Sequence, residues 1–514
     1  MSASNNSRLA KNTLFLYFRM ILILGVNLYA SRVILRMLGV EDVGIYNAVG
    51  SIVTMMGFVS NALSASTSRF ITFELGRGDS ERVRRTFRVS ATIYYLLAIA
   101  VVIIAETAGL WLASTQLTLP AERMEAALLC YQFSIVSFVL SFLAIPFNSL
   151  IIAHERMNAF AYISIFEALA KLGVLYLLPL LALDRLVSYS LMLSAIQALL
   201  LAMYAFYCYR HFCETSCRWL WDKRLSRELG AYAGWSVMGY AAVVGSNQGL
   251  NLLLNHFFNP VVNAARMFAL QIQSAVTQFY YNFQLAVRPQ VIKCYAQGEL
   301  PAMHELMLKS ARFSYLMAII VIAPVLAYTR QLLDLWLVAP PEHLVVFTRL
   351  TLIVCLIGSL SQHTLMAIHA TGEIRRFQIL EGLSLISILP IAYVACTFWH
   401  CAPEVIMALY VVVEAVTQIV RVVIVYPKVH LPILRLVTHI LPRCMLVSAI
   451  IAAAVWCFAV YAVPHSVGML LVYVAVLLVV SLLASGFFGI DSGERRALQS
   501  FVASRLQHKK GGKA

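Results

Sequence analysis

Charge is scarce in this 514-residue chain: 12% of residues are Asp, Glu, Lys or Arg, and only 24 are acidic. Soluble globular chains carry about 25% charged and about 45–50% apolar residues. Here the apolar share is 61% and the mean hydropathy +0.80. So little polar surface could not cover a fold in water, which excludes a string of soluble domains. Cysteine is ordinary at 10 residues, too sparse for a disulfide scaffold. Proline at 15 and glycine at 24 rule out collagen and low-complexity disorder. No phosphate-cradling glycine run occurs, so ATP hydrolysis is not expected. No loop brings a nucleophile and a base together, so no catalytic residue is named and no enzyme is expected. His211, Cys213 and Cys217 lack a fourth ligand for a metal. His363 and His369 read as packing residues. Neither metal nor cofactor is implied.

What the chain does have is apolar runs of bilayer-crossing length, about 17–25 residues. Fourteen lie near 13–36, 43–68, 87–112, 125–152, 159–182, 186–209, 230–256, 262–287, 311–333, 344–370, 377–398, 402–426, 440–463 and 467–489. Backbone in lipid must satisfy its own hydrogen bonds, and runs this long do so as helices. A transmembrane barrel would instead show alternating segments of about ten residues. The fold class is therefore an all-α polytopic membrane protein.

Net charge is +15, from 39 Lys and Arg against 24 Asp and Glu. With the N-terminus inside, 28 of the 39 fall in the termini and even-numbered loops, five in the opposite loops (Arg36, Arg123, Arg185, Arg330, Arg349) and six within spans. The positive-inside bias then predicts that both termini face the cytoplasm. It assigns the basic excess to topology and lipid headgroups, leaving membrane lipids as partners and no nucleic acid. The first run contains Arg19 and Arg32 and no small-residue cleavage site, so it is expected to stay as a helix, not to be cleaved as a signal peptide. In the tail, 493–510, Leu498, Phe501, Val502 and Leu506 share one face among basic residues; this reads either as a helix lying on the inner leaflet or as a solvated tail.

The two halves resemble each other. Gly25-Val26-Asn27-Leu28 matches Gly249-Leu250-Asn251-Leu252, and the loop Arg69–Gly78 matches Arg288–Gly298. Ala153-His154-Glu155 matches Ala370-Thr371-Gly372-Glu373. The near-constant offset, across six spans, predicts parallel repeats with a cavity between two lobes. The expected lobes are 1–218 with six helices and 219–426 with six, followed by two helices and a basic tail in 427–514.

Ionisable residues at bilayer depth are costly and are therefore site candidates. Arg19 and Arg32 lie in span 1, Lys171 in span 5 and Arg266 in span 8. Snorkelling to the nearer interface is the alternative for the arginines. Glu167 stands four residues before Lys171, so a structural ion pair is the alternative there. Glu381, and Glu414, Gln418 and Arg421 along one face of span 12, are coupling candidates with Glu167; structural pairing explains them equally well. Asn247, Asn251 and Asn255 share a face of span 7, and Gln271, Ser274, Gln278 and Asn282 a face of span 8. Such amides suit a hydroxyl-rich sugar, or else hydrogen-bond helix to helix. Gly245 and Gly249 hint at close helix approach, and Pro146, Pro179, Pro324 and Pro390 at kinks.

The stretches NTLFLYFRM (12–20), SRVILRMLGVEDVGIYNAVG (31–50) and SRFITFELGRGD (68–79) resemble bacterial O-antigen and exopolysaccharide flippases. These are the Wzx-type polysaccharide transporters of the MATE-like superfamily. PFNSLIIAHERMNAFAYISIFEAL (146–169), LLNHFFNPVVNAARMFALQI (253–272) and RPQVIKCYAQGE (288–299) extend the likeness over roughly the first 380 residues. The resemblance implies a flippase that moves an undecaprenyl-diphosphate-linked oligosaccharide to the outer leaflet of the bacterial plasma membrane. It also implies a basic cavity, alternating access, coupling to H⁺ or Na⁺, and glycan polymerase or assembly proteins as further partners. By helix position, Arg19, Arg32, Lys171 and Arg266 are expected at the diphosphate or acidic sugar. Asn27, Asn247, Asn251, Gln271, Gln278 and Asn282 are expected at the glycan.

Three alternatives stand beside this reading. A lipid II flippase would share the basic cavity. A multidrug exporter would call for carboxylates in the first lobe, and span 1 has none. A membrane polymerase would need a large extracytoplasmic loop, whereas 113–124 and 334–343 are short.

Overall fold

The computed structural model describes residues 3–54, 57–111, 121–180, 184–216, 218–258, 260–337, 340–491 and Glu494. It is helical throughout, as the apolar runs require. The chain opens with α1 (Ala3–Thr54), α2 (Gly57–Arg77) and α3 (Ser80–Ile104), the last prolonged by a π turn at Ala105–Gly109. Then come α4 (Met124–Ala153), α5 (Met157–Leu177), α6 (Arg185–His211), α7 (Lys223–Phe257) and α8 (Pro260–Ala296). The rest is α9 (Leu300–Ala327), the short α10 (Thr329–Trp336), α11 (Leu344–Thr371), α12 (Arg375–Ile386), α13 (Ile388–Trp399), α14 (Pro403–Val429), α15 (Leu441–Tyr461) and α16 (Val467–Ala484).

Each of the fourteen expected runs is helical over most of its described residues. Among the described residues, ten helices are long and apolar enough to cross a membrane. Within α1, expected spans 1 and 2 are separated at Gly39, whose backbone (φ 82, ψ 170) lies outside the helical region. Glycine reaches that conformation without steric cost. α7 and α8, at 35 and 37 residues, are long enough but fall short in apolarity; they carry the amide stripes and Arg266. Expected span 11 is broken into α12 and α13 at Ser387, where Pro390 can offer no N–H to the preceding turn.

The chain divides into two compact units that cut across the 218 and 426 boundaries. The first holds Met1–Ala241, Leu285–Met303 and Met366–Ile379. The second holds Ala242–Gln284, His304–Leu365 and Leu380–Ala514. α7, α8, α9, α11 and α12 are therefore each divided between the two units.

The first unit is organised around α4, whose Tyr131, Leu150 and Ile151 are fully buried among α1, α3, α5 and α6. Phe87 meets Phe147 edge-on with ring centroids 5.4 Å apart. In lipid, burial of apolar surface drives little, so tight packing and small residues hold the helices together. The serines serve that purpose by returning their hydroxyls to their own helix: Ser164 to the Phe160 carbonyl at 2.8 Å and Ser190 to that of Leu186 at 2.9 Å. At one edge, Arg123 joins Asp42 (2.6 Å) to Asp184 (2.5 Å), the N-cap of α6. Partial burial opposes ionisation of Asp184. The Arg123 guanidinium and the N–H groups of Val187 and Leu186 outweigh it and hold the carboxyl below its ordinary range.

In the second unit, Leu250, Leu254, Ala265, Phe347, Ile388 and Met407 belong to one core cluster. Gly249 explains one close approach there, since a Cβ would lie 2.6 Å from Leu389 Cδ1; its partner in the expected pair, Gly245, faces open space. α15 and α16 bury only 17% and 22% of their most apolar stretches, leaving broad apolar faces suited to lipid. Their basic end is tied down by Arg312, with a side chain 2% exposed, which donates to Asp491 (2.9 Å) and Glu494 (2.5 Å). Arg443 also pairs with Asp491. Of the expected tail helix 493–510, all but Glu494 lies outside the described residues.

The turns support the repeat. Gly78 (φ 74) and Gly298 (φ 76) are both left-handed, as are Glu155 (φ 58) and Gly372 (φ 80). These are the positions the sequence offsets align.

Candidate functional site

The first unit places Arg19 and Lys171 within one neighbourhood. Arg19, on α1, lies over the Phe160 ring of α5 at 4.5 Å, a cation–π contact. It lies in electrostatic reach of Tyr204 of α6 and Glu167 of α5, and its Nε is buried without a hydrogen-bond partner. One turn beyond Glu167, Lys171 donates from Nζ to Glu167 Oε1 at 2.6 Å. The expected Glu167–Lys171 pair therefore forms, but it does not close the account of charge. Two cations share one carboxylate, leaving an excess of one positive charge. The Lys171 and Glu167 side chains stay 41% and 31% exposed. A guanidinium with an unspent donor beside an accessible ammonium is suited to anionic oxygens such as those of a phosphate.

The other residues expected in this unit are less informative. Asn27 is exposed on α1, and the side chain of Arg32 lies outside the described residues. Glu106 was not foreseen: it sits on the π turn after α3 and accepts from Gln132 Nε2 of α4 at 3.1 Å. Its signal was an acid near the outer end of span 3, of the kind that picked out Glu167. π turns recur at functional sites, and sequence reading does not anticipate them.

In the second unit Arg266 is completely buried and does not snorkel. Its Nη1 donates to the Asn247 carbonyl at 3.1 Å and to Asn251 Oδ1, and its Nη2 to Asn247 Oδ1 at 3.2 Å. Two amides expected at a glycan thus spend their oxygens on an internal arginine. An uncapped guanidinium at this depth would be prohibitive, and the i, i+4 spacing of the two asparagines presents both oxygens to it. Along α8 the stripe divides. Gln271, Ser274 and Gln278 are exposed, whereas Asn282 is buried and donates to the Gln278 carbonyl at 2.8 Å.

The five expected coupling candidates do not share one site. Glu167 belongs to the cluster in the first unit. Glu381, Glu414 and Arg421 meet in the second. Arg421 donates to Glu381 Oε1 (2.7 Å), Glu414 Oε1 (3.1 Å) and Ser361 Oγ (3.1 Å), joining α14 to α12 and α11. Gln418 Nε2 completes Glu414 at 2.7 Å. All three charged side chains are about nine-tenths buried, with exposures of 9% and 10%. Tyr410 lies in electrostatic reach of Glu414 and Arg421, and of Arg266, whose own hydrogen bonds go to Asn247 and Asn251. Ser361 and Tyr410 were not foreseen, because a lone hydroxyl in an apolar run carries no distinguishing pattern.

Cys217 lies outside the described residues. Among the described residues, no three His, Cys, Asp or Glu side chains gather as metal ligands would.

The MatE family model matches residues 16–177, which include Arg19, Glu167 and Lys171. No curated protein matches the chain by sequence. Solved structures share its fold at low identity. A MATE protein in complex with MaD3S is 13% identical with a TM-score of 0.71, covering 83% of this chain and 96% of its own. An outward-facing multidrug resistance MATE family transporter of the MOP superfamily is 13% identical with a TM-score of 0.69, over 82% and 96%. A MOP superfamily transporter from Pyrococcus furiosus, described as having a binding pocket of reverse polarity, is 12% identical with a TM-score of 0.67, over 82% and 96%. The chain has the MATE fold.

Proposed function

We propose that this chain is a flippase that carries a polyprenyl-diphosphate-linked oligosaccharide from the cytoplasmic to the outer leaflet of a bacterial plasma membrane, with both termini in the cytoplasm. The observation behind this reading is the excess positive charge of the Arg19–Glu167–Lys171 cluster, set on a fold that multidrug transporters share. A cationic drug would need an unpaired carboxylate there, and the cluster's one acid is matched by Lys171. The Pyrococcus furiosus protein, with its reverse-polarity pocket, supports the view that this fold accommodates pockets of different sign.

The chemistry follows from the charges. A diphosphate head resists entering lipid because it must shed water. Arg19 and Lys171 replace part of that hydration with fixed donors. The proposed glycan contacts are the exposed Asn27 of the first unit and, in the second, the exposed Gln271 and Gln278, the partly exposed Asn247 and Asn251 and the buried Asn282; Arg32 and Arg266 are proposed to add positive charge. The membrane potential favours outward movement of the head by about 2.3 kcal/mol per charge per 100 mV. Glu167, Glu381, Glu414 and Arg421 are the groups proposed to couple transport to H⁺ or Na⁺. Glycan assembly proteins would receive the product.

Depletion of the protein, followed by mass spectrometry of polyprenyl-linked lipids, tests the reading. Accumulation of a single glycan repeat unit on its diphosphate carrier supports it. Accumulation of lipid II assigns the chain to peptidoglycan precursor export instead, and unchanged lipid intermediates reject both.

A further inference from the structure

We infer that the Arg- and Lys-rich end of the first unit carries a reciprocal latch, in which each sequence repeat grips the turn of the other, and that releasing it is the step that opens this end.

Two crossed contacts carry the inference. About two turns before the end of α2, the guanidinium of Arg69 donates to the carbonyls of His369 (3.3 Å) and Ala370 (3.1 Å), at the end of α11. Near the end of α8, Lys293 Nζ donates to Glu155 Oε1 (2.8 Å) and Gln290 Nε2 to Glu155 Oε2 (3.2 Å), in the turn after α4. The repeat aligns α2 with α8, and the Glu155 turn with the Gly372 turn. The same pair of elements thus makes the exchange twice, once in each direction, through different side chains. Arg69 and Glu155 are buried, at 7% and 4% exposure. Neither contact is a solvated surface pair of negligible strength.

Residues that the repeat makes equivalent also touch. Gly76 aligns with Ala296, and a Cβ on Gly76 would lie 2.9 Å from both Ala296 Cβ and Lys293 Cα. An element meeting its own copy is the mark of a local two-fold relation. The close approach of α2 and α8 at that point depends on glycine. Tyr232, on α7, adds a hydrogen bond to the His369 ring. The chain's turns, an absent Cβ and three buried side chains therefore all converge on the ends of α2, α4, α8 and α11. A permanent joint could be made of apolar packing. Hydrogen-bonded ends, with both partners able to find water when parted, can be made and broken.

The native Cys294, half-buried beside Lys293, reports the state of this end. Inverted membrane vesicles bearing the full-length protein would be treated with a membrane-impermeant maleimide, and labelling followed site by site by mass spectrometry. In the wild type Cys294 should label slowly, while exposed Cys213 labels fast and buried Cys208, near the same side at the end of α6, stays unmodified. Lys293→Met and Arg69→Met should each speed Cys294 labelling by about ten-fold or more, the change in population that losing a buried charge-assisted hydrogen bond produces. Gly76→Ala is the second perturbation. It leaves every polar partner in place, improves the helix propensity of α2 and wedges the helix ends apart, so it should speed labelling as well. Protection of Cys294 in all three variants overturns the inference. If the methionine variants also expose Cys208, they have unfolded and Gly76→Ala alone decides. No substrate is needed, so this test can fail while the proposed transport reading stands, and the reverse.

Discussion

Replacing Arg421 by methionine removes the one cation that hydrogen-bonds both buried carboxylates of the second unit. Its Nε and Nη2 serve Glu381 at 2.7 and 2.6 Å, and its Nη1 serves Glu414 and Ser361 at 3.1 Å each. Methionine fills much of the same volume, so the loss is electrostatic and not a cavity. Breaking a buried ion pair by removing one partner costs about 3–5 kcal/mol, because the surviving charge is stranded. Against a total margin of about 5–15 kcal/mol, the folded-to-unfolded ratio should fall by roughly a hundred-fold or more. Unfolding of the purified protein in mixed micelles with rising denaturing detergent measures this. The triple variant Arg421→Met, Glu381→Gln, Glu414→Gln removes the stranded charges together and should recover most of the loss. A single variant as stable as the wild type would refute the reasoning. So would a triple variant no more stable than the single one.

Two further outcomes follow from the first unit. Arg19→Ala and Lys171→Ala should each impair surface glycan display while the protein still inserts at normal levels, read by glycan staining and membrane immunoblotting; normal display in both contradicts the cluster's assignment. The Arg123–Asp42–Asp184 bridge should make stability acid-sensitive. Asp184 has a folded pKa below its unfolded value of about 3.9, so its contribution is complete above that pH and lost as pH falls through the lowered folded value. Its three side chains are 15–35% exposed, which limits the effect to about 0.5–1 kcal/mol. The melting-temperature gap between wild type and Arg123→Ala should therefore narrow below about pH 4, and a constant gap would contradict this.

Much of the fold was legible in the sequence because lipid leaves the backbone few choices. The fourteen apolar runs became helices, and the Gly78 and Gly298 turns fell where the repeat offset placed them. The Glu167–Lys171 pair was also legible, being local to one helix. What the sequence hid depended on neighbours from other helices. Arg266 and Arg421 looked alike as cations within spans. One is capped by neutral amides and the other by two carboxylates, a difference set by which faces α8 and α14 present to α7 and α12. The asparagine stripe of α7 was seen as a polar face, but its partner could not be read from spacing. The units' boundaries were likewise hidden, since five helices serve both.

The most direct test of the transport account is reconstitution. Purified protein in liposomes would be given a polyprenyl-diphosphate-linked oligosaccharide, with the fraction in each leaflet read by an impermeant enzyme that acts on exposed glycan. The account predicts that the wild type equilibrates the lipid across the bilayer and that Arg19→Ala/Lys171→Ala does so much more slowly. Equal rates in the two proteins, or no movement above protein-free liposomes, would contradict it.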